Sequence, residues 1–147
     1  MHLLGTGMPA LAAEVAYQLF WFLGRPTSVR SSDAVTHSSA RVDRLLINGK
    51  RVAVSRWESG ERPVLLVHGW RSRASHFGAV IRALESADRT VIAFDAPGHG
   101  ASTGRRTSVL EYAEIIRLLS AQVGGFEIIV AHSFGVPRRS QDAAAAA

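Results

Sequence analysis

Cysteine is absent from this 147-residue chain, so disulfides and thiolate metal sites are excluded and the redox compartment is left open. Lysine is almost absent as well. Lys50 stands alone, and the formal charge of +5 is carried by arginine. The arginines are spread along the chain, adjacent only at Arg105-Arg106 and Arg138-Arg139. Without clustering or interleaved aromatics they do not make a nucleic-acid footprint, and no nucleic-acid partner is expected. No apolar run reaches the roughly 20 residues that cross a bilayer. His68, His76 and His99 lack ligand spacing on one helix face, so no metal is expected. Beyond His132 there is no further histidine, and Asp142 is the only acid.

What is present suits one globular domain: 47% of residues are hydrophobic and 20% charged, too apolar for disorder. Ala10 to Leu23 is strongly apolar and ends in Phe20-Trp21-Phe22. Pro9 before it, with Gly24 and Pro26 after it, reads as the two ends of one helix. Glu14 and Gln18 form a narrow polar stripe, and the rest of the circumference is apolar. Such a helix must bury itself: the expectation is docking on the domain, with an interfacial membrane helix as the rival reading. A secretory signal needs a positive start, and Met1 to Ala10 offers only His2, so a cytoplasmic protein is expected.

Thr27 to Ala40 is rich in serine and threonine without apolar period and is predicted to be a linker. The chain therefore divides into an N-terminal helix and linker (1–40), a main domain (41–135) and an atypical tail (136–147). Leu45-Leu46-Ile47, Asn48-Gly49 and Arg51 to Val54 make a hairpin signature, because Asn-Gly supplies the positive φ angles of a tight turn. Val64 to Val67, Val91 to Phe94 and Glu127 to Ala131 are apolar runs expected of strands covered on both faces. Helical spacing separates them. Ser75 to Ala87 carries Phe77, Val80, Ile81 and Leu84. Ser108 to Val123 carries Val109, Tyr112, Ala113, Ile116, Leu119 and Val123, with Glu111, Glu114 and Arg117 on its solvated face. A hairpin feeding strands and helices in alternation predicts an α/β fold with a mostly parallel sheet.

In such a sheet, ligands bind at the carboxyl ends of the strands. A distinctive motif follows each apolar strand: His68-Gly69-Trp70, then Asp95-Ala96-Pro97-Gly98-His99-Gly100-Ala101-Ser102, then His132-Ser133-Phe134-Gly135. The last is a strand that turns sharply through a serine, a geometry that presents the hydroxyl as a nucleophile. Asp95 is expected to hold its loop by accepting nearby N–H groups. His68 and His99 are expected to shape the loops rather than move protons. Gly98-x-Gly100-x-x-x-Gly104 invites comparison with a dinucleotide fingerprint. The acidic residue that fingerprint needs is missing, so no nucleotide cofactor is expected.

Together these motifs resemble the α/β-hydrolase fold of the serine-nucleophile, esterase- or lipase-like kind, over roughly Val52 to Gly135. Ala131 departs from the usual first glycine of Gly-x-Ser-x-Gly. The resemblance implies that Ser133 is the nucleophile and that the backbone N–H groups of Trp70 and Phe134 form an oxyanion hole. His68, Gly69, Asp95, Gly98, His99, Gly100 and Gly135 would shape the surrounding loops. It also implies an ester or thioester as small-molecule substrate.

In the family resembled, the acid and the base histidine come after the serine, on further strands. None of those strands is evident here, and Arg138-Arg139-Ser140-Gln141-Asp142 interrupts the apolar face expected of the next helix. The expectation is a C-terminally truncated or frameshifted chain, impaired in catalysis for want of acid and histidine. The alternatives are a non-catalytic remnant or interaction fragment, and a membrane-surface protein held by its N-terminal helix. The strand Glu127 to Ala131 should pair on one side only, so self-association through its open edge is also expected.

Overall fold

The chain turns back on itself at Asn48 and Gly49, whose φ angles of 49° and 73° are the positive pair that a tight hairpin turn requires. A computed structural model describes residues 11–17 and 23–132. The turn joins β1 (Arg41–Ile47) to β2 (Lys50–Trp57) in antiparallel register, with Ile47 opposite Lys50 and Arg41 opposite Arg56. After it come β3 (Arg62–Val67), β4 (Arg89–Asp95) and β5 (Ile128–Ala131). The sheet order is β1-β2-β4-β3-β5. β3 runs parallel to both β4 and β5, while β2 meets β4 antiparallel. This is the antiparallel hairpin followed by parallel strands expected from the sequence.

The middle of each parallel strand is apolar because the sheet has a helix on each face. Residues 11–17 form α1, Ala34–Ser38 α2, Gly78–Ser86 α3 and Val109–Val123 α4. On one face Val64, Leu66, Val91, Ala93 and Trp57 pack with Ile81 of α3. On the other, Val52, Val54, Leu65, Val67, Ile92 and Phe94 pack with Tyr112, Ile115 and Leu119 of α4. The buried stripe of α4 is rotated from the expected one, since Val109 is 59% exposed and Ala113 is also exposed. Val109 is the first residue of the helix. Ser108 caps α4, its Oγ accepting from Glu111 N at 3.2 Å, and Gly124 ends it with φ 76°. Glu111, expected in solvent, is instead held by Lys50 Nζ at 2.5 Å, which ties the hairpin to the start of α4.

The expected linker at 27–40 is not one. It contains a 3-10 turn (Ser31–Asp33) and α2, and it is pinned to the domain by polar side chains. Arg73 donates to Thr27 O at 3.0 Å, Trp57 Nε1 donates to Thr36 O at 2.8 Å, and Arg82 donates to Thr36 Oγ1 at 2.8 Å. Anchoring of this kind leaves no hydrophobic period for the sequence to display. Of the helix expected over 10–23, residues 11–17 are helical and exposed and Leu23 is buried, while residues 10 and 18–22 lie outside the described residues.

β5 is the least covered strand. Ile128 is 40% exposed, Ile129 51% and Val130 37%, whereas Val64, Leu65 and Leu66 beside them on β3 are fully buried. Among the described residues β5 pairs on one side only, with β3. An open hollow of about 690 Å³, lined by Ala113, Ile116, Arg117, Ser120 and Ala121, lies along the outer side of α4. It is remote from the strand-end motifs.

Candidate active site

The carboxyl ends of β3, β4 and β5 are adjacent, so the three motif loops leave the sheet side by side. Val67 is level with Phe94 on one side and with Ala131 on the other, and His132 N donates to Val67 O at 2.9 Å. Residues 68–73 thus lie between the loop beginning at Ala96 and the chain leaving β5. Ser133, Phe134 and Gly135 lie outside the described residues, as does the tail 136–147.

Within this edge the loops are locked by side chains buried in the protein. Asp95 ends β4 and accepts from Ala74 N through Oδ1 and from Ala101 N through Oδ2, each at 2.8 Å. The guanidinium of Arg73, itself buried, lies 3.6 Å from the same carboxylate. Gly100 is required beside it: a Cβ there would fall 1.9 Å from Asp95 Oδ2, and its φ is 46°. At Gly98, φ is 78° and Leu23 occupies the space where a side chain would stand. Ser102 completes the loop by donating to Asp95 O and accepting from Ala53 N at 2.8 Å.

His68 and His99 are likewise buried. His68 Nε2 accepts from Ala96 N at 3.0 Å, so its Nδ1 carries the proton and donates to Gly69 O at 2.8 Å. His99 Nε2 accepts from Arg71 N at 3.1 Å, and its Nδ1 faces Pro97 O at 3.2 Å. Burial lowers the pKa of His68 to about 4 and that of His99 below its ordinary value, in both cases because the charged form is desolvated. Both rings are neutral at pH 7 with each nitrogen engaged, which leaves neither suited to take a proton from a substrate. Tyr112 packs edge-on to His68 at 5.7 Å between ring centroids, and Trp70 packs edge-on to His99 at 5.7 Å. Burial drives the Tyr112 hydroxyl pKa well upward, so it too stays neutral.

Sequence reasoning missed Arg73, Tyr112 and Lys50 as supports of this edge. The only trace of Tyr112 was its place on the helical stripe, and Arg73 had no signal. Among the described residues no group of three or more potential ligands could hold a metal ion.

A profile described as the alpha/beta hydrolase family matches residues 64–146. The chain belongs to this family. The match begins with β3 and includes all three motif loops. Solved structures agree on the fold. An epoxide hydrolase from Vigna radiata aligns at TM-score 0.57 and 22% identity, over 66% of this chain and 33% of that one. The thioesterase domain of the curacin biosynthetic pathway aligns at 0.55 and 25%, over 65% and 37%. A monoacylglycerol lipase from Paleococcus ferrophilus aligns at 0.54 and 37%, over 57% and 34%. The chain thus spans about a third of the length of these solved structures. No curated protein matches the sequence.

Proposed function

We propose that this chain carries the nucleophile half of a serine hydrolase acting on esters or thioesters. Ser133 attacks the substrate carbonyl, the N–H groups of Trp70 and Phe134 receive the charge that develops on oxygen, and the alcohol or thiol leaves. Each such donor is commonly worth about 3–4 kcal/mol in the transition state. The observation that supports this most is the register of β5 with β3, which brings the start of the His132-Ser133 turn level with the His68-Gly69-Trp70 loop. The thioesterase and monoacylglycerol lipase among the similar structures favour an acyl substrate over other hydrolase substrates.

Turnover needs a base for the serine proton, and in this reading it is not supplied by the residues at hand. His68 and His99 are both committed to backbone partners. The activity these residues support is acylation at Ser133. This same observation favours a second reading, in which the chain is a non-catalytic fragment that keeps half the fold. Incubation with p-nitrophenyl acetate followed by mass spectrometry separates the two. Acetylation at Ser133, lost in Ser133→Ala, supports the nucleophile; an unmodified Ser133 leaves the non-catalytic reading.

A further inference from the structure

Ser72 and His76 form a hydrogen-bonded pair apart from the contacts that lock the strand-end loops. A backbone carbonyl only accepts, so His76 Nε2 carries the ring proton and donates to Ser28 O at 3.4 Å. That leaves Nδ1 as the acceptor, and Ser72 Oγ donates to it at 3.1 Å. A serine hydroxyl on one imidazole nitrogen, with the other nitrogen oriented by a third group, is the arrangement that activates a nucleophile. His68 and His99 differ, because each of their ring nitrogens faces a backbone group.

Both members of the pair are braced. Arg71 N, one residue before Ser72, donates to His99 Nε2 at 3.1 Å, and Ala74 N, two residues after it, donates to Asp95 Oδ1 at 2.8 Å. Ser72 N donates to Gly69 O at 3.3 Å. His76 stands in a 3-10 turn (Ala74–Phe77) that runs into α3, and its own N–H donates to Arg73 O at 3.1 Å. Bracing of this kind spares the pair the entropy of finding its geometry when a reactant arrives. Ser72 and His76 are half-buried, not sealed, so a small acyl group reaches them from solvent. Burial, and after it the neighbouring charge of Arg30, lowers the pKa of His76 below its ordinary 6.5. The ring is therefore neutral at pH 7 and free to take a proton. Arg30 is itself exposed, and its positive charge favours an oxygen that becomes negative beside the pair.

We propose that Ser72, with His76 as its base, is an acyl-accepting site for activated esters or thioesters, distinct from Ser133. Ser72 Oγ attacks the acyl carbonyl carbon, its proton passes to His76 Nδ1, and the C–O or C–S bond to the leaving group breaks. The alcohol or thiol departs with that proton, and the acyl group stays on Ser72 as an ester. Nothing in this step requires Ser133 to be a nucleophile.

A time course of the full chain with p-nitrophenyl acetate, read site by site by peptide mass spectrometry, tests this. Ser38 and Ser86 serve as internal references: both are exposed, and each hydroxyl donates to a backbone carbonyl, which cannot take its proton. Ser72 should be acetylated at least about tenfold faster than either, since a positioned general base contributes roughly 10²–10⁴-fold. That comparison is made within one folded chain and needs no variant. His76→Gln, a substitution at a half-buried position, should bring Ser72 down to the rate of the references. Ser133→Ala should leave the labelling of Ser72 unchanged, which separates this site from acyl transfer out of Ser133. Acetylation of Ser72 no faster than that of Ser38 and Ser86 overturns the proposal, as does an unchanged rate in His76→Gln. An acetyl group found on His76 with Ser72 unmodified also overturns it. Labelling at Ser133 is read from a different peptide, so either serine can fail without the other.

Discussion

His68 and His99 secure each other's loops by a reciprocal exchange. His68 leaves β3 and accepts the N–H of Ala96 in the loop after β4, while His99 in that loop accepts the N–H of Arg71 in the loop after β3. Their rings lie 4.8 Å apart, centroid to centroid. Each imidazole satisfies a backbone donor that would otherwise be exposed to a largely dry edge, where an unpaired N–H costs about 1–3 kcal/mol. The exchange works only while both rings are neutral at Nε2.

Stability should therefore fall in mild acid. The unfolded chain takes up a proton at His68 near the ordinary pKa of 6.5, whereas the folded state resists until about 4. Between these values the unfolded state binds more protons, so stability is full above about pH 6.5, declines as pH drops, and levels off below about 4. The shift corresponds to about 3 kcal/mol from His68, and His99 acts in the same direction. Urea denaturation between pH 7.5 and 4 should show this loss. In His68→Phe the dependence should shrink, with stability at pH 7 lower by about 1–3 kcal/mol because Ala96 N loses its acceptor. An unchanged pH profile in that variant would refute the assignment.

Asp95→Ala should be severe. It removes the acceptor of Ala74 N and Ala101 N and leaves the buried Arg73 guanidinium uncompensated. Loss of one partner from a buried pair costs about 3–5 kcal/mol. Chemical denaturation should show at least that much.

Gly100→Ala tests the same loop from the other side. Its added methyl would stand where the Asp95 carboxylate is, at a φ that favours glycine. Steric crowding and the backbone conformation together should cost about 2–4 kcal/mol, read as a lowered denaturation midpoint.

The open strand β5 should drive self-association. Ile128, Ile129 and Val130 are exposed beside the buried Val64, Leu65 and Leu66 of β3, and among the described residues β5 has a free apolar edge, a template for a second copy. Sedimentation velocity should show dimers or larger species at micromolar concentration. Ile129→Lys should shift the distribution toward monomer; a monomeric parent protein with a sharp melt would refute this.

Much of the architecture was legible in the chain. β3 and β4 read as strands because burial on both faces demands unbroken apolar runs, and Asn48-Gly49 marked the hairpin. The start and stop of α4 were written in Ser108 and Gly124. The stretch 27–40 was not legible, because Arg73, Trp57 and Arg82 hold it through polar contacts that leave no period. The rotated face of α4 was missed for a related reason: apolar spacing admits neighbouring stripes, and only packing on Leu65 and Phe94 chooses Tyr112, Ile115 and Leu119.

By itself the sequence determined the kinds of element, their order, and the three motifs that follow the parallel strands. The tertiary structure alone decided that β4 lies between β2 and β3 with β5 on the far side, and from that order came the exchange between His68 and His99. Local pattern encodes burial, which repeats along the chain and can be read there. A hydrogen bond between residues 28 apart depends on strand register and loop closure, and neither is written in any single segment.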